Sequence, residues 1–148
     1  MAITQAVANS FKKEVLEGTH NFAFSGGDTF KLALYISTAT LNANTTTYTT
    51  SGEVPASGQY SAGGGTLVKP NPSTSVASSV AMVTFNNLSF TGVTITARGA
   101  LIYNDTAAGD PAVAVLDFTS DKTATSGTFT IQFPSFTTSA AILRIGNA

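Results

Sequence analysis

From Asn21 onward apolar and polar residues alternate with a period of two, most clearly in Thr29-Phe30-Lys31-Leu32-Ala33-Leu34-Tyr35-Ile36-Ser37, where Phe30, Leu32, Leu34 and Ile36 share one face. The other face, Lys31, Ala33, Tyr35 and Ser37, predicts a strand of an antiparallel sheet with one wet side. The alternation returns at 80–85, 93–103, 112–118, 128–133 and 141–145, and shorter apolar stretches lie at 21–24, 66–69 and 88–90. Between them stand turn formers: Gly26-Gly27-Asp28, Asn86-Asn87, Asn104-Asp105, Gly109-Asp110-Pro111 and Thr125-Ser126-Gly127. About eight or nine short strands at this spacing predict a mainly β fold, an antiparallel β-sandwich that is jelly-roll-like or Ig-like.

The start of the chain reads differently. Ile3, Val7, Phe11 and Val15 recur every four residues, Ala8 and Leu16 widen the stripe, and Lys12, Lys13, Glu14 and Glu17 lie off it. This predicts one amphipathic α-helix over residues 1–18, about four turns long, closed by Gly18. A helix of that length is marginal alone, so its stripe must dock on the sheet or on a partner. Ile3, Val7, Phe11 and Val15 are therefore candidate protein-interface positions. Residues 19–148 then form the sandwich domain, interrupted by a long segment at 38–65. That segment is about twice the usual upper length for a loop without structure of its own, so it is either functional or held by another chain. Its Tyr48 and Tyr60 join the candidate interface. The gap at 69–75, with Pro70 and Pro72, reads as an extended connection.

Composition narrows the function classes. The 148 residues are 10% charged with a net charge of -1, too balanced for electrostatic binding of nucleic acid. No apolar run is long enough to cross a membrane as a helix, and the opening residues do not read as a secretion signal. With no Cys there are no disulfides, thiol nucleophiles or thiolate metal sites.

Candidate chemistry is sparse. His20 is the single imidazole, no GxSxG accompanies it, and it reads as a helix-terminating residue favoured by the C-terminal dipole. One strong nitrogen ligand does not make a zinc site. A glycosidase-like pair such as Asp105 with Asp117 is open on spacing, but there is no Trp for a sugar platform. Asn104-Asp105-Thr106 reads as an Asx turn rather than a calcium loop. Asp117 interrupts an apolar strand and is expected either to face solvent or to pair with Arg98 or Arg144. No catalytic residue, cofactor or metal is expected.

The segments FKLALYISTATLNANTTTYTTSGEVPASGQYSAGGGTL, TARGALIYNDT and AVAVLDFTSDKT, with the opening MAITQAVANSFKKEVLEGTHNFAF, resemble a family of small virion structural proteins of tailed bacteriophages. The resemblance runs from Met1 to about Asp121 and carries no catalytic motif. It implies a capsid decoration or cement protein on the virion surface, made in the bacterial host cytoplasm. The partners it implies are the major capsid protein and further copies of the chain, with a trimer matching the threefold positions of a shell. A tail, neck or fibre component is the alternative within that family. A glycan-binding module, for which Tyr35, Tyr48 and Tyr60 would form an exposed platform, is the alternative outside it.

Overall fold

The computed structural model describes residues 2–147 and is a β-sandwich of two antiparallel sheets with one short helix. In chain order the elements are β1 (Ala6–Val7), α1 (Asn9–Leu16), β2 (Phe30–Tyr35), β3 (Gly65–Thr66), β4 (Thr74–Ala77), β5 (Val80–Val83), β6 (Leu88–Asn104), β7 (Ala112–Ile131) and β8 (Leu143–Ile145). The larger sheet runs β1-β7-β6-β2-β3 and the smaller β4-β5-β8.

The helix is half as long as the apolar spacing predicts. Residues before Asn9 are extended: Ile3 bridges Leu41, β1 pairs with β7, and the Ala8 N–H donates to the Val113 carbonyl at 3.0 Å. A spacing of four is even, so Ile3 and Val7 share a face in a strand as well as in a helix, and β-branched residues favour the strand. Gly18 terminates the helical stretch with φ 78°, as expected. The helix docks on its own sheet, with Phe11 in the main core.

Three strand readings change. The 112–118 and 128–133 stretches are one strand, β7, because the expected turn at Thr125-Ser126-Gly127 is a bulge, with Ser126 at φ 45°, and the register against β6 shifts there. The 88–90 and 93–103 stretches likewise merge into β6 across Gly92. Residues 21–24 form no strand, while Thr74–Ala77, whose first two residues close the 69–75 gap, pairs with β5 through a turn at Ser78-Ser79, both at positive φ.

The wet face predicted for this stretch survives only at its ends, Lys31 and Ser37. Ala33 and Tyr35 are fully buried along with Phe30, Leu32 and Leu34. The cover is the 38–64 segment, which this chain holds by itself. The free edge of β2 is completed in three pieces. β3 pairs with Lys31 and Leu32, Val54 N–H donates to the Leu34 carbonyl at 2.9 Å, and Ile36 N–H donates to the Gly52 carbonyl at 2.9 Å. In the gap between them the Leu34 N–H donates to the Tyr60 hydroxyl at 2.8 Å.

A single carboxylate ties these pieces together. Glu53 Oε1 accepts from the Tyr60 hydroxyl (2.7 Å) and the Gly63 N–H (2.8 Å), and Oε2 accepts from the Tyr48 hydroxyl (2.6 Å). Tyr103 donates to the Gly63 carbonyl at 2.6 Å and stacks on Tyr48 with ring centroids 4.7 Å apart. Burial first, and then the bond to Glu53 and its charge, push the Tyr48 phenol up to about 12; burial pushes the Tyr35, Tyr60 and Tyr103 phenols higher as well. All four hydroxyls stay protonated and able to donate. Gly64, at φ 77°, lies so close to β2 that a Cβ there would collide with the Leu32 carbonyl.

Replacing Glu53 with Ala strips the acceptor from two phenols and one backbone N–H and should lower stability by about 2 to 3 kcal/mol. Glu53→Gln, which keeps one oxygen, should cost less. Urea unfolding with limited proteolysis checks this: the Ala variant should be cut first within 38–64, and unchanged stability and cleavage would show that the carboxylate does not hold the segment.

Candidate functional site

Two places gather the residues from which chemistry or recognition could arise. The first is a closed polar joint behind α1. Asn104 Oδ1 accepts from the Thr106 and Ala107 N–H groups at 2.9 and 3.1 Å, the Asx turn expected there. This fixes the amide, so Nδ2 must donate, and it reaches Asp28 Oδ2 at 2.8 Å and His20 Nδ1 at 3.1 Å. His20 Nδ1 is therefore an acceptor and the neutral ring carries its proton on Nε2, which faces Glu14 Oε2 at 3.4 Å without a formed hydrogen bond. Phe11 packs on the ring at 4.8 Å, with Phe22 and Phe30 beyond, and the imidazole has no exposed surface. Burial lowers the His20 pKa, opposed by the nearby Glu14 carboxylate and by the charge of Asp28. His20 thus joins the helix, the 19–29 segment and β6 internally, rather than capping a dipole at the surface.

The remaining candidates are dispersed. Asp117 accepts from the Thr119 N–H at 2.8 Å instead of pairing with an arginine; Arg98 bonds Asp121 at 2.8 Å, and Arg144 donates to the Thr138 carbonyl at 3.1 Å. Among the described residues no group of three or more His, Asp or Glu side chains could hold a metal ion. Tyr35 and Tyr60 are inside the protein and Tyr48 is half-buried, so the three present no exposed aromatic platform. Of the expected interface residues, Ile3, Phe11 and Tyr60 are likewise buried in the chain's own core, because β1, α1 and the 38–64 segment all fold back onto the sheet. Val7, Val15 and Tyr48 are half-covered.

The second place is an apolar groove of about 680 Å³ between α1 and the smaller sheet. Val7, Phe11, Val15 and Leu16 form one wall, with Phe22 behind. The other wall follows from strand register. Val76, Ala81 and Ile145 are cross-strand partners, so they share a face, and that face continues inward through Val83 and Leu143 to Phe85. Burial declines along it: Phe85 and Leu143 are buried, Val83 is half-buried and Ala81 is exposed. The inner face of the small sheet thus overhangs the domain. Leu16 (89%), Val76 (71%) and Ile145 (62%) are the most exposed large apolar side chains. Isolated exposed apolar side chains are ordinary, but three around one apolar groove make it a candidate contact surface.

The chain matches no protein-family model, no curated protein and no solved structure with which it was compared. No described helix is long and apolar enough to cross a membrane.

The locked Asn104 amide makes the fold sensitive to acid at one site. Below about pH 6.5 the unfolded imidazole takes a proton that the buried ring resists, so stability should fall as pH drops through that value, by at most about 1.4 kcal/mol per unit. Comparing urea midpoints between pH 7.5 and 5 for the parent and His20→Asn should show a shallower acid slope in the variant. Equal slopes would mean that His20 is not the group responsible.

Proposed function

We propose that this chain is a non-enzymatic structural protein of a bacteriophage virion, a capsid decoration or cement protein that binds the outside of the major capsid shell and stabilises it. The observation carrying this reading is the overhanging apolar face opposite α1, a surface that covers no part of its own domain and suits docking on another protein. The segments that resemble small virion proteins supply the biological setting.

A small sandwich contributes little to a shell through one contact. Repeated over many sites, modest contacts add up, each apolar side chain withdrawn from water stabilising by about 1.5 to 3 kcal/mol. The self-held 38–64 segment fits this role too, because the domain arrives already folded and does not lose that ordering entropy on docking.

Quantitative mass spectrometry of purified virions should find the chain in copy numbers comparable with the major capsid protein, and the Leu16→Asp, Ile145→Asp double variant should lower occupancy on shells by more than about 10-fold. A few copies confined to the tail would replace the decoration reading with a tail or neck component. Unchanged occupancy of the double variant would remove the groove as the docking face.

A further inference from the structure

The smaller sheet has two outer edges, and they are built differently. On β8 the residue whose backbone N–H and C=O point outward is Arg144, because Leu143 and Ile145 pair with Val83 and Ala81 of β5. A charged side chain in mid-strand is one of the devices by which proteins protect an open edge from pairing. On β4 nothing plays that part. All four residues of Thr74–Ala77 are exposed, and no charged residue occurs anywhere from Pro70 through Ala97.

The hydrogen-bonding phase of β4 follows from its hairpin. The turn at Ser78-Ser79 makes Ala77 and Val80 a hydrogen-bonded pair, and Thr84 N–H donates to the Ser73 carbonyl at 2.9 Å. Ser75 therefore bonds inward to Met82, while Thr74 and Val76 direct their N–H and C=O groups away from β5, and no backbone group among the described residues meets them.

We infer that β4 is a self-association edge, on which a second copy of this chain pairs antiparallel about a twofold axis at Ser75. In that register Thr74 of one copy lies opposite Val76 of the other, and the two exchange backbone hydrogen bonds in both directions; the axis repeats the exchange at Val76 and Thr74. Self-pairing sets each segment against its own charges, so an edge without charge meets no such repulsion. Its length is bounded, because the next outward positions are Pro72, which has no N–H to donate, and Ser78, which turns the chain away at φ 49°. The joined sheet then ends at both sides on β8 and its Arg144, so the assembly closes as a pair instead of growing into a fibre. The pairing also makes the exposed Val76 and Ile145 faces of the two copies continuous. It stands apart from the virion reading, since it rests on the strand edge alone.

The absence of cysteine from the chain allows a direct test. At the axis the two copies of residue 75 form a non-hydrogen-bonded pair, with Cα atoms about 4.5 Å apart, within reach of a disulfide. Ser75→Cys should oxidise to a covalent dimer, whereas Ser139→Cys, exposed elsewhere, should not. Light scattering on the parent at micromolar concentration should give the mass of two chains, and Thr74→Pro, which removes an outward N–H, should give one with unchanged circular dichroism. If Thr74→Pro fails to fold, Val76→Lys serves, placing like charges diagonally across the joined edges, and should weaken dimerisation by up to about 5-fold. A monomeric or trimeric parent, or equal crosslinking of the two cysteine variants, would overturn the inference, whatever the virion measurements show.

Discussion

The Glu53 carboxylate is the constraint on which the rest of the sandwich depends. Strand β2 lies between β6 and an edge that no long strand covers, yet it is buried on both faces. Covering it falls to 38–64, a polar, glycine-rich stretch that inserts Leu41, Val54 and Tyr60 into the core and is fastened between these anchors by hydrogen bonds. Glu53 is the only charged residue between Lys31 and Lys69, and its two oxygens collect two phenols and one backbone N–H. Charge-assisted bonds of this kind are about twice as strong as neutral ones, and here they replace a missing neighbouring strand.

The same logic explains why the aromatic residues of that segment work inward. Tyr48 and Tyr60 each combine a ring that fills the interior with a hydroxyl that needs a partner, and both needs are met within one chain. The exposed large apolar side chains Leu16, Val76 and Ile145 lie elsewhere, around the groove where the small sheet runs past the core. Polar bonds thus finish this side of the domain, and exposed apolar groups gather at the groove.

Much of the architecture was legible in the residues. The alternation at 29–37 and 93–103 marks the two most buried strands, and Gly18 marks the end of the helical stretch. What failed has physical causes. Ile3 and Val7 satisfy both periods, so the length of the helix was undetermined until pairing with β7 and Leu41 settled it. β4 is four residues of Thr, Ser, Val and Ala closed by a Ser-Ser turn without the usual Asn or Gly, leaving no local signal. The groove was invisible because it brings α1, near the start of the chain, against the β4–β5 hairpin and the β8 strand that joins it from far along the sequence. Glu53 could have been found: a lone carboxylate in a long neutral stretch, with a tyrosine five residues before it and another seven after, has few other ways to be satisfied.

The pairing of Phe30 with Asn104 has a consequence for synthesis. A ribosome releases β2 long before it releases β6, and in that interval an apolar strand with only Lys31 for charge must wait without its principal neighbour. The covering segment emerges directly behind β2, and Glu53 with it, so the nascent chain can sheathe this strand before the other side of the sheet exists. Once closed, the clasp would leave that strand's outer edge with no unpaired backbone for a neighbouring chain to join.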